Sequence, residues 1–509
     1  IVNGANGLLR LQSRTGGQSG RLSYQANVAR LAYDGYRRSS DARNTQADAQ
    51  FRVEGERDRL QVTGNFVDYD AKNPGSLSDS LLRVDRFQAF ANNVRQHTGE
   101  AGHQGQLGIL WRHRMEPGEL EVSTYGVVRS LDNPIPVSII DLDRRGGGVR
   151  ALYRSTLRVA GRDMLWTVGS DVDAQHDDRV NHTNQQGQRG ALTLDQIEKV
   201  SSLAGFAQLS APVTDRVSLL GSLRYDNIRF TAEDRLITAT NPDDSGRRSM
   251  DRLSPSLGMV WNLGEALGVY GNYATSFQTP TTTELANRPT GAGGFNPTLE
   301  PEHTRGFEVG ARGRLGPRVD YQLAAFRALV ENELIGFEVP QAPGRTYFRN
   351  AGSAVHRGVE AELSFAPVPE IVARVAYTYT DAKFRTYRVG TSVYDGNLLP
   401  GIAPHRLDGV LSFQPGPWYV DLDARYESRI QVNDANTAAS PAYALLDARA
   451  GLAPVRLAGL RVAPFVGLAN VLDRRYNTSV VINAAGARYF EPGPGRAFHA
   501  GATLAVGRQ

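Results

Sequence analysis

Nine histidines, two short acidic runs and a glycine triplet are the first places where this sequence could do chemistry. His97, His103, His113, His176, His182, His303, His356, His405 and His499 are scattered, and only His97 with His103 and His176 with His182 approach the local pairing that metal sites use. With no cysteine, the chain has no thiolate for zinc or iron–sulfur and no disulfide to staple a small fold. The runs Asp141-Leu142-Asp143 and Asp243-Asp244 offer few of the about six to eight oxygens that Ca2+ takes, and short acidic runs are commonly turns. Arg144 to Arg150 (RRGGGVR) lacks the Gly-Lys-Ser/Thr of a phosphate loop. No Ser/His/Asp set and no carboxylate pair stands apart from the many polar positions. The expectation is no enzyme, no catalytic residue, no resident metal and no cofactor.

What is abundant is recognition chemistry. Of 57 basic side chains only Lys72, Lys199 and Lys383 are lysines, and the arginines are interleaved with 53 acids, leaving a net charge of +4. A nucleic-acid binder would gather them on one face, so no nucleic-acid partner is expected. The absence of cysteine also suits an oxidising compartment. No run of about 18 apolar residues is available for a transmembrane helix.

The elements that must carry these side chains are strands. In 164–173, Met164, Trp166 and Val168 alternate with Thr167, Gly169, Asp171 and Asp173, with Val172 restoring the alternation after Ser170. In 418–426, Trp418, Val420, Leu422, Ala424 and Tyr426 alternate with Tyr419, Asp421, Asp423 and Arg425, and 498–506 repeats the pattern. A period of two with unlike faces is a half-buried strand. Glu360, Glu362, Arg374, Asp421, Asp423, Arg425, Asp447 and Arg449 all fall on polar faces near mid-strand. Unpaired ions in a dry core cost several kcal/mol each, so the polar side must enclose water or a polar plug.

The connections alternate as well. Short turns, such as 54–57, 115–118, 314–317, 414–417 and 455–458, separate long polar stretches at 70–103, 131–144, 175–194, 233–247, 279–302, 338–346, 389–401, 431–439 and 474–494. Short periplasmic turns with long extracellular loops are the habit of an outer-membrane barrel. The fold expected is all-β: a transmembrane, antiparallel, up-and-down barrel. Strands counted back from 495–508 reach twenty at 19–33, and 7–14 adds one more. Because such barrels nearly always have an even number, the expectation is about 21 of 22 strands, with the first missing and the chain truncated at its N-terminus.

Several segments then carry a resemblance. SFQTPTTTEL at 276–285 is similar to S-F-R-A-P-x-x-x-E-L of TonB-dependent outer-membrane receptors, and NPTLEPEHTRGFEVG at 296–310 to their N-P-x-L-x-P-E segment. NAGSAVHRGVEAEL at 350–363, LPGIAPHRLDGVLSF at 399–413, and NVLDRRY at 470–476 with YFEPGPGRAFHAG at 489–501 resemble later barrel strands of that family. DGYRRSSDARN at 34–44 and DYDAKNPGSL at 68–77 resemble early strands of its iron-uptake branch. The resemblance implies that 1–509 is the receptor's β-barrel domain with the plug absent, located in the Gram-negative outer membrane. It implies import of a ferric siderophore or similar iron complex, with TonB-ExbB-ExbD acting through the missing N-terminal region. A passive porin-like channel, or TonB-dependent uptake of cobalamin, haem or a sugar, are the alternatives. The interval 281–295 lacks the histidine that haem receptors of the family carry, which favours a siderophore over haem.

Other partners implied are outer-membrane lipid and lipopolysaccharide and the barrel-assembly machinery, with the protein a monomer. That machinery reads a final aromatic residue, where this chain has Val506, Gly507, Arg508 and Gln509. A siderophore is bulky and often anionic, so loop arginines and aromatics are expected to hold it. The ligand-binding candidates are Phe277, Gln278, Glu284, Arg345, Tyr347, Arg349, Tyr387 and Tyr489. Gln278 and Thr279 depart from the family's Arg and Ala. Pro297 and Pro301 fit a loop re-entering a strand, and Glu284, Glu300 and Glu302 either tie that loop to the wall or line the entrance.

Overall fold

A strand with charge on one face and apolar side chains on the other needs neighbours that present the same faces in the same order. The computed structural model describes residues 1–457 and 459–507, and it meets that demand from strand to strand. Each strand pairs antiparallel with its chain neighbours, from Leu8–Ser19 and Leu22–Tyr33 through to Leu460–Ala469 and Ala497–Ala505. With Val455–Leu457 counted as the continuation of Tyr443–Leu452, both pairing with Leu460–Ala469, the ring has 22 strands.

The place of the expected missing strand is held by three residues. Val2–Gly4 pairs on one side with Leu8–Ser19 (Val2 opposite Arg10) and on the other with Ala497–Ala505 (Val2 opposite Gly501), which closes the ring. Of the last four residues, Arg508 and Gln509 lie outside the described residues, as does Ala458 of the turn expected at 455–458.

Register confirms the two faces. Directly opposed residues share a face of an antiparallel pair. Leu411 opposes Leu422, which opposes Ala448, while Ser412 opposes Asp421, which opposes Arg449. Glu360, Glu362, Arg374, Asp423, Arg425 and Asp447 fall on that second, polar face as well. The polar face turns inward, because the loops that cross the mouth from one wall to the other land on it. Inside, arginines and carboxylates form ladders. Asp171 accepts from Arg150 Nε at 2.6 Å and from Arg224 Nη1 at 2.7 Å, and Arg425 Nε donates to Asp408 at 3.1 Å. The outer face exposes Phe307, Val309 and Leu203 at 62%, 61% and 57%.

Strand length is uneven. Trp418–Glu427 and Tyr443–Leu452 have 10 residues, enough to span a bilayer at the usual tilt of about 45°. Ser138–Val159, Arg162–Gln185 and Gln188–Pro212 have 22, 24 and 25. The stretches 131–144 and 175–194, expected as loops, are therefore paired strand that rises past the membrane. Two-residue turns close these hairpins. Gln186 and Gly187, at φ 56° and 84°, supply the left-handed pair that a tight hairpin needs. Asp141 and Asp143 accordingly sit within a strand and not in an acidic loop.

Placing Arg at lipid-facing Leu422 is expected to lower barrel stability by about 2–4 kcal/mol in bilayer unfolding experiments. The lumenal change Asp423→Asn, which relieves the directly opposed Asp447, should be neutral or slightly stabilising. Equal losses would contradict the assignment of faces.

Candidate ligand-binding site at the extracellular mouth

The chain between 279 and 301 folds back into the barrel. Thr281 begins a short helix, Thr282–Ala286, with a reciprocal cap: its hydroxyl accepts from the Glu284 N–H, and the Glu284 carboxylate accepts from the Thr281 N–H at 2.7 Å. This presents Leu285 and Ala286 to the wall, where they join Phe295, Leu299, Phe230, Ala232 and Met250 in one apolar cluster. Phe277 packs against that cluster and stacks on His303 with ring centroids 5.7 Å apart. Gln278 beside it is exposed.

Polar contacts lock the loop to the risen strands. Arg179 and Glu198, 3% and 0% exposed at the side chain, form an ion pair at 2.6 Å, and Arg179 also donates to Thr283 Oγ1 at 2.9 Å. Gln196 accepts from the Gly294 N–H at 3.0 Å. Asp177, directly opposite Glu198, is held by Arg144 at 2.8 and 2.7 Å, so each of the two neighbouring carboxylates has its own guanidinium. The NPTLEPE segment acts as a clamp. Asn296 Oδ1 accepts from the Thr298 N–H, Asn350 bonds the backbone of Glu300 in both directions, and Glu302 accepts from the Leu334 N–H.

A second hairpin, Leu334–Phe337 with Tyr347–Asn350, carries three of the arginines and tyrosines singled out by type. Tyr347 is buried, Arg349 lies 3.9 Å from the Phe337 ring centroid, and Arg345 lies 5.5 Å from that of Tyr347. The loop crosses the mouth: Gly344 abuts Pro136 at the tip of the opposite hairpin, leaving no room for a side chain there. Tyr387 is buried in a neighbouring cluster with Phe384 and Leu399, and its hydroxyl donates to Asp434 at 3.1 Å. Tyr489 packs on Phe490 and lies 3.5 Å from the Asn433 amide. Further ties join the loops to one another. Asn483 donates to Gly336 O and to Asp434, Arg488 pairs with Glu338 at 3.2 Å, and the Arg488 guanidinium lies over Phe90.

Between the inward loops and the risen hairpins lies a cavity of about 550 Å3, lined by Ser138, Asn181, Thr193, Thr238, Ala286 and Arg345 among others. It brings Arg345 together with groups that sequence reasoning missed. Arg345 Nη2 donates to Asn287 Oδ1 at 3.0 Å, but its Nε and the Asn181 Oδ1 are buried without a partner. Burial, reinforced by nearby Arg179, pulls the Arg345 pKa below its ordinary value. A desolvated guanidinium with a free N–H is an anion-binding group. Ser138, Asn181 and Thr193 escaped notice because strand there was expected to be loop. Asp177, Asp178 and Arg179 are charged on both faces, so no period-two signal marks the strand there.

Among the described residues no three His, Asp or Glu side chains converge as a metal site. Asp244 accepts from the Gly293 N–H at 2.9 Å and pairs with Arg288, Asp243 accepts from the Ser245 N–H, and Asp141 pairs with Arg189.

Burial pushes the Asp434 carboxyl above its ordinary 3.8, against the opposing pull of Asn483, Tyr387 and Arg349. Burial and Asp434 push the Tyr387 phenol up as well. A carboxyl whose folded pKa is raised contributes stability that is full below its unfolded value and is lost as pH rises through the folded value. Hydrogen exchange at residues 430–440, corrected for intrinsic rates, should therefore quicken as pH climbs out of the range near 3.8, and Asp434→Asn should remove that step. Identical profiles for the two proteins would contradict it.

A family model described as TonB dependent receptor-like, beta-barrel, matches residues 3–463. The metal-pseudopaline receptor CntO of Pseudomonas aeruginosa is 26% identical over 436 residues, 81% of this chain and 52% of that protein. The ferrioxamine receptor of Yersinia enterocolitica is 27% identical over 259 residues, 50% of this chain and 33% of that protein. The chain thus spans about half the length of the first relative and a third of the second. The unliganded ferric citrate transporter FecA superposes with a TM-score of 0.82 at 16% identity, over 99% of this chain and 78% of that one. The siderophore receptor PiuA from Acinetobacter baumannii gives 0.81 at 15%, over 99% and 80%. At such identities the structural likeness establishes the fold alone.

Proposed function

The chain belongs to the TonB-dependent receptor β-barrel family, a family of outer-membrane transport receptors and not of enzymes, and on that premise we propose that it imports a metal held in a small anionic chelate, a ferric siderophore first among them. The observation that carries this reading is Arg345: a half-buried arginine lining a polar cavity at the mouth, with its Nε–H unpartnered. A chelate carboxylate or hydroxamate oxygen would satisfy it by a charge-assisted bond. Arg345 is the primary contact, with Gln278 and Tyr489 at the rim. Arg349, Tyr347 and Tyr387 set the shape of the hairpins behind it, and Phe277 and Glu284 hold the loop in place.

In this reading the chelate binds at the extracellular mouth, TonB pulls on a plug within the barrel, and the inner-membrane proton gradient drives the step. No bond in the cargo is made or broken. The relatives support a chelate: one is a metal-pseudopaline receptor and another a ferrioxamine receptor. The first keeps a metal other than iron in play. The loop layer, tied across the mouth by Glu338–Arg488 and Asn483, supports a receptor over an open passive channel.

Two outcomes test this. Replacing Arg345 with Gln should weaken binding of the transported chelate by about 1.5–3 kcal/mol in equilibrium titration, with the barrel still folded. Iron-starved cells expressing the full-length gene should grow on a cognate chelate only when TonB is present. Growth without TonB would favour the passive channel, and unchanged affinity in the Arg345 variant would remove the site.

A further inference from the structure

The lumenal face of the ring is not uniform. On the five strands from Leu8–Ser19 to Gly99–Met115, inward residues meet in level rows. Gln12, Ala29, Gln46, Val67 and Gln104 form one row; Arg14, Asn27, Asp48, Asn65 and Gln106 form the next down; Gly16, Gln25, Gln50, Thr63 and Gly108 form the third. Eight of these fifteen residues are Asn or Gln, and two, Arg14 and Asp48, are charged. The same three-by-five patch on the strands from Ser353–Val368 to Tyr443–Leu452 inverts that chemistry. There Glu360 stands level with Arg406 and Glu427, Glu362 with Asp408 and Arg425, and Arg374 with Asp423 and Asp447, which makes nine charges and no amide. Between the two patches lie the Arg–carboxylate ladders around Asp171.

Much of the hydrogen-bonding capacity of the amide rows is unspent. Gln12 donates to Asn27 at 2.8 Å, Asn27 donates to Asp48 at 2.9 Å, and Arg14 donates to Gln25 at 2.6 Å. Gln46, Asn65 and Gln106 are exposed to the lumen with no side-chain hydrogen bond among the described residues. Two of these strands, Asp58–Lys72 and Gly99–Met115, rise to a polar recess of about 460 Å3 lined by Tyr36, Asn73, Glu100, Asn133 and Ile135 among others. The hairpin tip that gives Asn133 and Ile135 to this recess gives Val137 and Ser138 to the Arg345 cavity, so the two spaces flank one tip. The Arg345 cavity, the recess and the amide rows therefore follow one another down the same side of the mouth.

We propose that a chelate leaving the Arg345 cavity crosses the barrel along this amide wall, a role that rests on the import reading. A carboxamide offers both N–H donors and a carbonyl acceptor and carries no charge, so it bonds a carboxylate oxygen, a hydroxyl or a shell water without a net Coulomb pull. Transit needs sites in series that bind firmly enough to admit a solute and weakly enough to release it. The amide rows meet both needs. Fixed arginines would hold an anionic chelate, and the nine-charge patch, with six acids against three arginines, would turn it away.

The test is the initial rate of radiolabelled iron uptake, supplied as ferric citrate or ferric pyoverdine, by iron-starved cells expressing the full-length gene. Q46E/Q50E/Q106E puts three negative charges on the wall at nearly constant side-chain size. It should slow uptake about fivefold or more, while binding of the chelate to cells lacking TonB stays unchanged. Q46N/Q50N/Q106N, which keeps the amides, should transport as the wild type does. So should Q208E/N272D/Q322E, which adds the same charge to lumenal amides on other strands. Heat-dependent gel mobility verifies folding, vancomycin resistance verifies that the barrel stays stoppered, and the single Gln106→Glu variant, expected to show a smaller loss, stands in if the triple variant fails to fold. Equal slowing by the two acidic sets, no slowing by the first, or slowing accompanied by vancomycin sensitivity would overturn the proposal. Wild-type uptake of neither chelate, or uptake without TonB, would remove the import reading and this route with it, whereas TonB-dependent wild-type uptake with unaffected variants removes the route alone.

Discussion

Backbone hydrogen bonding is the constraint on which the rest of this structure depends. Within hydrocarbon no water is available to satisfy an N–H or C=O, so a sheet can cross only if it has no edge. Here the seam is closed by three residues, Val2–Gly4, which bond to the second strand on one side and to the last on the other. Once the ring is closed, period-two patterning sets everything else. One face meets lipid and must be apolar, and the other meets water and carries the Arg–Asp ladders around Asp171 and Asp408.

The mouth follows from what the ring leaves over. Strands near Arg162–Gln185 are more than twice as long as a bilayer needs, so their inward faces form a wall above the membrane. Against that wall the loop from 279 packs by Leu285, Phe295 and Leu299, and Arg179–Glu198 fixes it in register. Burying an ion pair is costly unless its remaining donors are matched, and Thr283 takes one of them. Arg345 and Arg349 each keep an unmatched buried Nε, and of the two Arg345 lines the cavity; an unpaired buried donor is a place where a ligand gains most by arriving.

Much of this was legible in the sequence, and for definite reasons. Trp418 to Tyr426 spells out its faces residue by residue, and the structure keeps each one: Leu422 sits with Leu411 and Asp421 with Arg449. The closing strand was not legible, because three residues carry no measurable period. Nor were the tall hairpins, since strands above the membrane lose the apolar half of the alternation, and 175–190 holds Val180 as its one apolar side chain. The candidate residues were chosen by type, and type does not encode direction. Tyr347 and Tyr387 sit inside the loop layer, whereas Arg345, two residues from Tyr347, faces the cavity. Asn181 and Ser138 reach that cavity only because the hairpins rise to it.

The absence of native cysteine allows the central claim, oil outside and charge inside, to be measured directly. A single cysteine placed in turn at each position from 418 to 426 and spin-labelled in a reconstituted bilayer reports collision with oxygen, which favours lipid, against a water-soluble nickel chelate. The account predicts oxygen-rich signals at 418, 420, 422, 424 and 426 and nickel-accessible signals at 419, 421, 423 and 425. A uniform response along the strand, or the opposite phase, would contradict it.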